Sequence, residues 1–503
     1  MNYNATHLKI LLRRENALAL EGRGARPPPR DRVHAHADAR ERGATQVKVP
    51  EILQVETPHA PDGLASVLHA IAEAGLVIEH VSTVRRDQDR TLWEITIDID
   101  ESARTELLGS LNALPSARFV GWSDRVFDRH RGGKIEMHSR VAISTQQILR
   151  DIDTPGVARV CLAIRAAPEK AFDYTYLGRS VAIVTDGSAI LGLGNIGPRA
   201  GLPVIEGKAA LFAALVGISG IPILVESASV DHFVEVVCAI APSFGAILLE
   251  GISAPRCFEI EQKLRARIAI PVLHDDQHAT AVVVLAALLN ATQQTGATLH
   301  ALTVGVVGLG AAGLGIAKLL QAHGVKQLLG NDLRATAMGR LAQWHGQGRT
   351  LDKILAHADV LICTTGAQRL LSPAHIRTGQ IVFALSNPDP EIDPAAALAA
   401  GAAVAADGKS INTVLCFPGL FDAVLRTRVR AVTDEMLLAA ARALASAAPA
   451  GQLLPDPLDL TVHERVSRAV QTAIIGAAHG SVPTDTRRAE DPPEVSNPQS
   501  GEA

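Results

Sequence analysis

The chain has 503 residues, 47% of them apolar, and sets 48 Lys and Arg against 52 Asp and Glu for a net charge of −4. That length exceeds what one hydrophobic core holds and implies roughly two to four domains, while the charge balance gives no positive field for nucleic acid and leaves small anionic substrates open. Five scattered cysteines with no C-x-x-C pair exclude a disulfide-stapled scaffold and fit a reducing, cytoplasmic compartment, and no uncharged apolar run reaches the roughly 18–20 residues of a membrane span.

Residues 1–44 are rich in arginine around "RGARPPPRDRVHAHADARER". Interspersed acids and the triple proline argue against a transit helix, so this stretch reads as a disordered tail, with a misassigned translation start as the alternative. The last segment, 481–503, reads as a second tail. Between residues 45 and 130 the apolar period alternates. "VPEILQVET" is a strand, "PDGLASVLHAIAEAG" a helix stopped by Gly75, "LVIEHVSTVRR" and "TLWEITIDI" two strands, Ala103 to Leu114 a helix, and Phe119 to Phe127 a last strand. This βαββαβ order with its "PDGL" helix start resembles the ACT domains, ferredoxin-like regulatory modules that often bind amino acids in pairs. A plain dimerisation module is the competing reading.

From Gly133 to about Gly480, short apolar strands ("SVAIVT", "GIPILVE", "GAILLEG", "IAIPVLH", "LTVGVVG", "KQLLGND", "DVLICTT", "QIVFALS") alternate with helices, as parallel sheets covered by helices do. The pattern predicts an α/β body, and the family resemblance carried by its longer motifs divides this body into a substrate and metal domain over residues 131–297 and a Rossmann-type nucleotide domain over 298–480.

Two glycine-rich stretches compete for a nucleotide. In "LTVGVVGLGAAGLGIAKLLQ", Gly308, Gly310 and Gly313, with Ala311 and Ala312 between, follow a strand and open a helix, which offers free N–H groups and a positive dipole end to a pyrophosphate. Asp332 ends the next strand, placed for the ribose hydroxyls, and favours NAD over NADP. Arg334 nearby could instead receive a 2′-phosphate. "DGSAILGLGNIG", residues 186–197, also follows a strand, but Pro198, Gly201 and Pro203 come next and punctuate a loop, so it reads as part of the substrate domain.

Taken together, "VTDGSAILGLGNIGPRAGLPVIEGKAALF", "SAPRCFEIE", "IPVLHDDQHATAVVVLAALLNA" and "FALSNPDPEI" closely resemble the bacterial malic enzymes from about Gln147 to Gly476. The resemblance implies oxidative decarboxylation of L-malate to pyruvate with NAD and a divalent metal, Mn2+ or Mg2+, in a homodimer or larger oligomer. It makes Lys208, at a helix start, the base for the substrate hydroxyl, its pKa lowered by burial or a cationic neighbour. It makes Glu250 and Asp276 metal ligands, puts Asp275 in the same cluster, and puts Asn387 and Asn412 in the substrate and nicotinamide pocket. Without the resemblance, Asp275 and Asp276 read as helix N-capping residues, Asn387 as a turn starter, and His274 and His278 as structural rather than zinc-binding.

Several positions depart from the family pattern. Asp153 stands where a tyrosine precedes "TPGVA" and would be an ionised, poor proton donor. "LEG" leaves Gly251 without the carboxylate of "LED". "GKSINTVLCFPG" is several residues short, with Thr413 for an asparagine, and Ala279 replaces a glycine. Either Asp153 replaces the carboxylate missing at Gly251, or the site has decayed to a nucleotide-binding regulatory protein, or the enzyme takes another 2-hydroxy acid. Retention of Lys208, Glu250, Asp275, Asp276 and the glycine loop favours the enzyme.

Overall fold

The computed structural model describes residues 49–99, 101–123, 125–387 and 389–480. Both expected tails, 1–44 and 481–503, lie outside these residues. Strands β1 (Val49–Pro58), β2 (Ile78–Arg86), β3 (Arg90–Ile99) and β4 (Arg118–Trp122) form one antiparallel sheet in the order β2-β3-β1-β4. Its connections include the helices Gly63–Glu73 and Glu101–Asn112, which gives the βαββαβ order read from the sequence. Two periods meet in its core. Leu53 and Val55 alternate on β1, while Val67 and Ile71, and Leu107 and Leu111, recur at helical spacing, and all six are buried. The last strand is shorter than expected. β4 stops at Trp122, opposite Leu53, and Arg125–His130 is helical. Val126 and Phe127, which prolonged the apolar pattern, face outward instead, Phe127 at 74% exposure.

Residues 125–179 carry several short helices, among them Gln146–Ile152 and Val157–Ala166, none with a buried residue. A parallel sheet follows, built from β5 (Ser180–Thr185), β6 (Ser219–Leu224), β7 (Ala246–Leu249) and β8 (Val272–His274) in the order β6-β5-β7-β8. Every residue of β5, β7 and β8 is buried, as expected of strands covered on both faces. The loop expected after Gly197 is instead the start of a helix, Pro198–Val216. Pro198 fits the first helical position, where an N–H has no partner to lose, and buried Gly201, Ile205, Ala209 and Phe212 recur at helical spacing across Pro203. Proline punctuation concealed that periodicity.

The third sheet is parallel, with strands β9 (Thr303–Val307), β10 (Gln327–Asn331), β11 (Gln347–Gly348), β12 (Val360–Cys363), β13 (Ile381–Ala384) and β14 (Val404–Asp407) in the order β11-β10-β9-β12-β13-β14. This is the Rossmann order, with the switch point beside β9. β11 and β14 escaped the sequence reading, being two residues long and the alanine-rich "VAAD" respectively.

One helix ties the two parallel sheets together. Asp275–Thr295 starts directly after β8, is buried around most of its circumference, and belongs to a core shared by β5, β7, β9, β12 and the helices Phe417–Thr427 and Asp434–Ala447. Among the described residues no helix is long and apolar enough to cross a membrane. Phe212 stacks edge-on against Phe417 and Phe421 at 4.9 and 5.5 Å, joining the Pro198–Val216 helix to the C-terminal part of the chain. Phe212→Ala is therefore expected to destabilise the protein by about 3–5 kcal/mol, read as a lower chemical-denaturation midpoint. An unchanged midpoint would show that this junction carries no stability.

Candidate active site

Several residues singled out in the sequence, with others beside them, follow the carboxyl ends of the strands. Asp186 follows β5, Glu250 β7, Asp275 β8, Gly308 β9, Asp332 β10, Thr364 β12 and Gly408 β14. Ligands bind at this edge of open α/β sheets. A cleft of about 760 Å³ is lined from both parallel sheets, by Lys208, Glu250, Asp275 and Asp276 on one side and Gly310, Ala311, Ala312, Arg334, Asn387 and Asn412 on the other.

The 186–197 stretch forms part of this wall through Ala189 to Gly192. Its ends meet, since a Cβ on Gly187 would lie 2.1 Å from the carbonyl carbon of Gly197. Asp186 holds the near end by accepting hydrogen bonds from the Ser188 backbone and hydroxyl, and pairs with Arg256 at 3.0 Å. The Ser188 hydroxyl in turn accepts from the Ser253 N–H, and the Ala189 N–H donates to the Gly251 carbonyl. The stretch is thus fastened to the Gly251–Ser253 segment after β7 rather than to a nucleotide loop.

Lys208 lies in the middle of its helix, not at the start, and its side chain is 11% exposed. Its ammonium is 2.5 Å from Asp275 Oδ2, 3.2 Å from Glu250 Oε2 and 4.6 Å from the Phe417 ring centroid. Burial disfavours the charge, but the carboxylates of Asp275 and Glu250 outweigh it and raise the pKa above the ordinary lysine value. The expected lowering is therefore reversed, and at rest Lys208 holds its proton.

Glu250, Asp275 and Asp276 bring carboxylate oxygens within 4.8 Å of one another. Burial raises the pKa of Glu250 and of Asp276, with the neighbouring acids adding to it. One ammonium faces three carboxylates, and Asp275 Oδ1 accepts no hydrogen bond although it is buried. Such a surplus of buried negative charge is costly unless a cation offsets it, and an all-oxygen set suits a hard divalent ion. The residues present therefore fit Mn2+ or Mg2+. Gly251 contributes no side chain here. It sits at φ +60°, where a Cβ would come within 2.6 Å of Ile190 Cδ1, and its N–H favours the charged form of Asp276. His274 is buried with neither ring nitrogen bonded, and His278 pairs with Glu261 at 2.7 Å.

Asp153 is not brought to this cluster. It is exposed at the end of the Gln146–Ile152 helix and lies outside both the carboxylate group and the cleft lining.

On the nucleotide side, Gly308 has φ +90°, and a Cβ there would meet the Thr364 carbonyl oxygen at 2.6 Å, while one on Gly313 would meet the Gly308 oxygen at 1.9 Å. Gly310 faces open space and N-caps the helix Ala311–His323. Asp332 accepts from the Leu309 N–H at 2.7 Å and from the Arg334 N–H and guanidinium at 2.8 and 3.1 Å. Partial burial would raise its pKa, but these donors outweigh burial and hold it below the usual carboxylate value. Asn387 is exposed on the cleft wall, and Asn412 accepts from the Val414 N–H while lining the same wall. Sequence reasoning missed two residues that shape the site. One is Phe417 over Lys208. The other is fully buried Glu391, which accepts from the backbone and hydroxyls of Thr365 and Ser386 and so fixes the loops after β12 and β13. Glu391 stood in the quoted "SNPDPEI", but nothing local marked it as buried.

Fold and cleft are those of an α/β protein with a Rossmann-like nucleotide-binding sheet. Residues 132–265 match the malic enzyme N-terminal domain, 332–479 the malic enzyme NAD binding domain, and 273–369 the NAD binding domain of D-isomer specific 2-hydroxyacid dehydrogenases. The chain is 46% identical to NAD-dependent malic enzyme 1 of Bacillus subtilis (strain 168) over 84% of its own length and 98% of the relative's. It is 39% identical to the NAD-dependent malic enzyme of Geobacillus stearothermophilus over 81% and 91%. The crystal structure of malic enzyme from Pyrococcus horikoshii Ot3 superposes with a TM-score of 0.67 at 38% identity, covering 70% of this chain and 91% of that one. The chain belongs to the malic enzyme family.

If the buried carboxylates hold the cation, Glu250→Gln and Asp276→Asn should each weaken Mn2+ binding at least about tenfold in a paramagnetic-resonance titration of the full chain. Unchanged affinity in both would place the ion elsewhere.

Proposed function

We propose that this protein oxidises and decarboxylates L-malate to pyruvate and carbon dioxide while reducing NAD, with Mn2+ or Mg2+. The observation that carries this reading is the opposition, across one cleft, of Lys208 with its three carboxylates to the glycine turn at Gly308–Gly313. When bound, the nicotinamide would supply the hydride acceptor, and a divalent cation held by Glu250 and Asp276, with Asp275 beside them, would supply Lewis-acid polarisation of the substrate oxygens. The chain's own work is proton transfer and orientation. Lys208 Nζ takes the C2 hydroxyl proton, after shedding the one it holds at rest. Engagement of its carboxylate partners loosens that hold, and Asp275 at 2.5 Å is in reach of the released proton. Loss of carbon dioxide leaves an enolate, and the protonated Lys208, or water, returns a proton to its C3. Asn387 and Asn412 offer amide groups to substrate and nicotinamide from the opposite wall.

Asp332 supports NAD over NADP, because its carboxylate is held ionised beside the nucleotide turn and already engages the guanidinium of Arg334. Asp153 takes no part in this scheme within a single chain. Its exposure is the observation on which the rival reading draws, a regulatory protein that binds NAD without turnover.

The N-terminal βαββαβ sheet supports an ACT-like regulatory module that takes an amino acid or similar small effector. Pairing of two chains is supported by the uncovered apolar side chains between residues 126 and 176, among them Phe127, Met137, Leu162 and Tyr174. Sedimentation velocity tests the pairing, and a purely monomeric protein would remove it.

NADH formation with L-malate and Mn2+ is the direct test of function. Lys208→Ala should lower kcat by at least about 100-fold in a protein that still binds NAD. No turnover by the folded, NAD-binding wild type would favour the regulatory reading, and turnover only with another 2-hydroxy acid would change the substrate. The same assay run with free amino acids reads the module, and indifference to all of them would remove the amino-acid effector.

A further inference from the structure

Between β14 and the helix Phe417–Thr427 the chain makes a tight turn. Asp407 Oδ1 accepts from the Ser410 N–H at 2.9 Å and from its hydroxyl at 2.6 Å, and the Ile411 N–H donates to the Asp407 carbonyl. The far side of this turn is cleft wall, where Gly408, Ile411, Asn412, Thr413 and Val414 all line the cavity. The near side presses on the other wall asparagine. A Cβ on Gly408 would lie 2.5 Å from the Leu385 carbonyl oxygen and 2.7 Å from Asn387 Nδ2. A shift of the turn therefore moves Asn412 directly and Asn387 by contact.

At the tip of the turn, Lys409 reaches out of the NAD-binding half. Its ammonium donates to Glu79 Oε1 on β2 at 2.7 Å and to Asp98 Oδ2 on β3 at 3.0 Å, across 330 and 311 residues of sequence. Lys409 and Ser410 are exposed, so apolar packing does not fix the tip. The two carboxylates on adjacent antiparallel strands form a fork that does.

We propose that Lys409 is a positioning residue for the malate reaction: by clasping Glu79 and Asp98 it ties the N-terminal sheet to the Asp407–Val414 turn and sets where Asn412 and Asn387 stand in the cleft. The module thereby acts on the site through one side chain, without touching substrate. The kinetic part of this inference rests on the malate-oxidising reading.

The experiment uses the full chain with Lys409→Ala, Lys409→Arg and the double change Glu79→Gln with Asp98→Asn. KM and kcat for malate and NAD are measured beside hydrogen exchange of peptides covering residues 404–416. Exposed ion pairs hold a loop only modestly, so Lys409→Ala is expected to raise KM for malate or NAD by about three- to tenfold with kcat within about twofold. It should also speed exchange in the turn and leave the buried helix Asp275–Thr295 unaffected. Arginine should restore both readouts, and the double change should reproduce the alanine variant. Wild-type KM in Lys409→Ala overturns the proposal, whether or not exchange in the turn accelerates. So does a loss that arginine fails to restore and that comes with faster exchange throughout, the mark of lost stability alone. If the wild type oxidises no malate, the reading of the reaction fails separately. The NAD dissociation constant then replaces KM, and an alanine variant with unchanged affinity overturns the clasp.

Discussion

The molecule is organised around a buried charge imbalance, one ammonium against three carboxylates, placed at the end of a helix that the core covers around most of its circumference. Asp275–Thr295 joins the core shared by the two parallel sheets, so its first turn cannot retreat toward bulk water. Asp275 and Asp276 are fixed there by the chain direction after β8, and Glu250 by the end of β7. Lys208, delivered by a different helix, offsets only part of the charge. In a protein interior such an arrangement persists when something outside the chain offsets it, and the all-oxygen set suits a hard divalent cation.

The same constraint explains the protonation of Lys208. Burial alone would drive the amine toward neutrality, but the nearby carboxylates reverse the sign. In the proposed reaction the lysine therefore starts protonated and acts as a base once its carboxylate partners are engaged elsewhere.

The N-terminal sheet has its own core of Leu53, Val55, Val67, Ile71, Ile95, Ile97, Leu107 and Leu111. That core is separate from the one shared by the parallel sheets, and the contact at Lys409 is polar. Polar, modest contacts of this kind are typical between domains of one chain and allow relative movement.

Much of this was legible in the sequence, because much of it is local. A glycine turn between a strand and a helix needs Gly308 and Gly313 for steric reasons that act within a few residues or against the neighbouring strand. Alternating and 3.6-residue periods marked most strands and helices, and the long motifs around Lys208, Glu250 and Asp275 carried the family resemblance. The errors also have local causes. Prolines hid the helix Pro198–Val216, and the unburied pair Val126 and Phe127 lengthened a strand that ends at Trp122. What the tertiary structure alone decided are relations between distant residues: the sign of the Lys208 shift, Asp153 left outside the cluster, Glu391 buried beneath two loops, and Lys409 meeting Glu79 and Asp98. Each depends on which charges end up within a few ångströms after folding and how much water remains between them, and neither quantity is written in the order of residues along the chain.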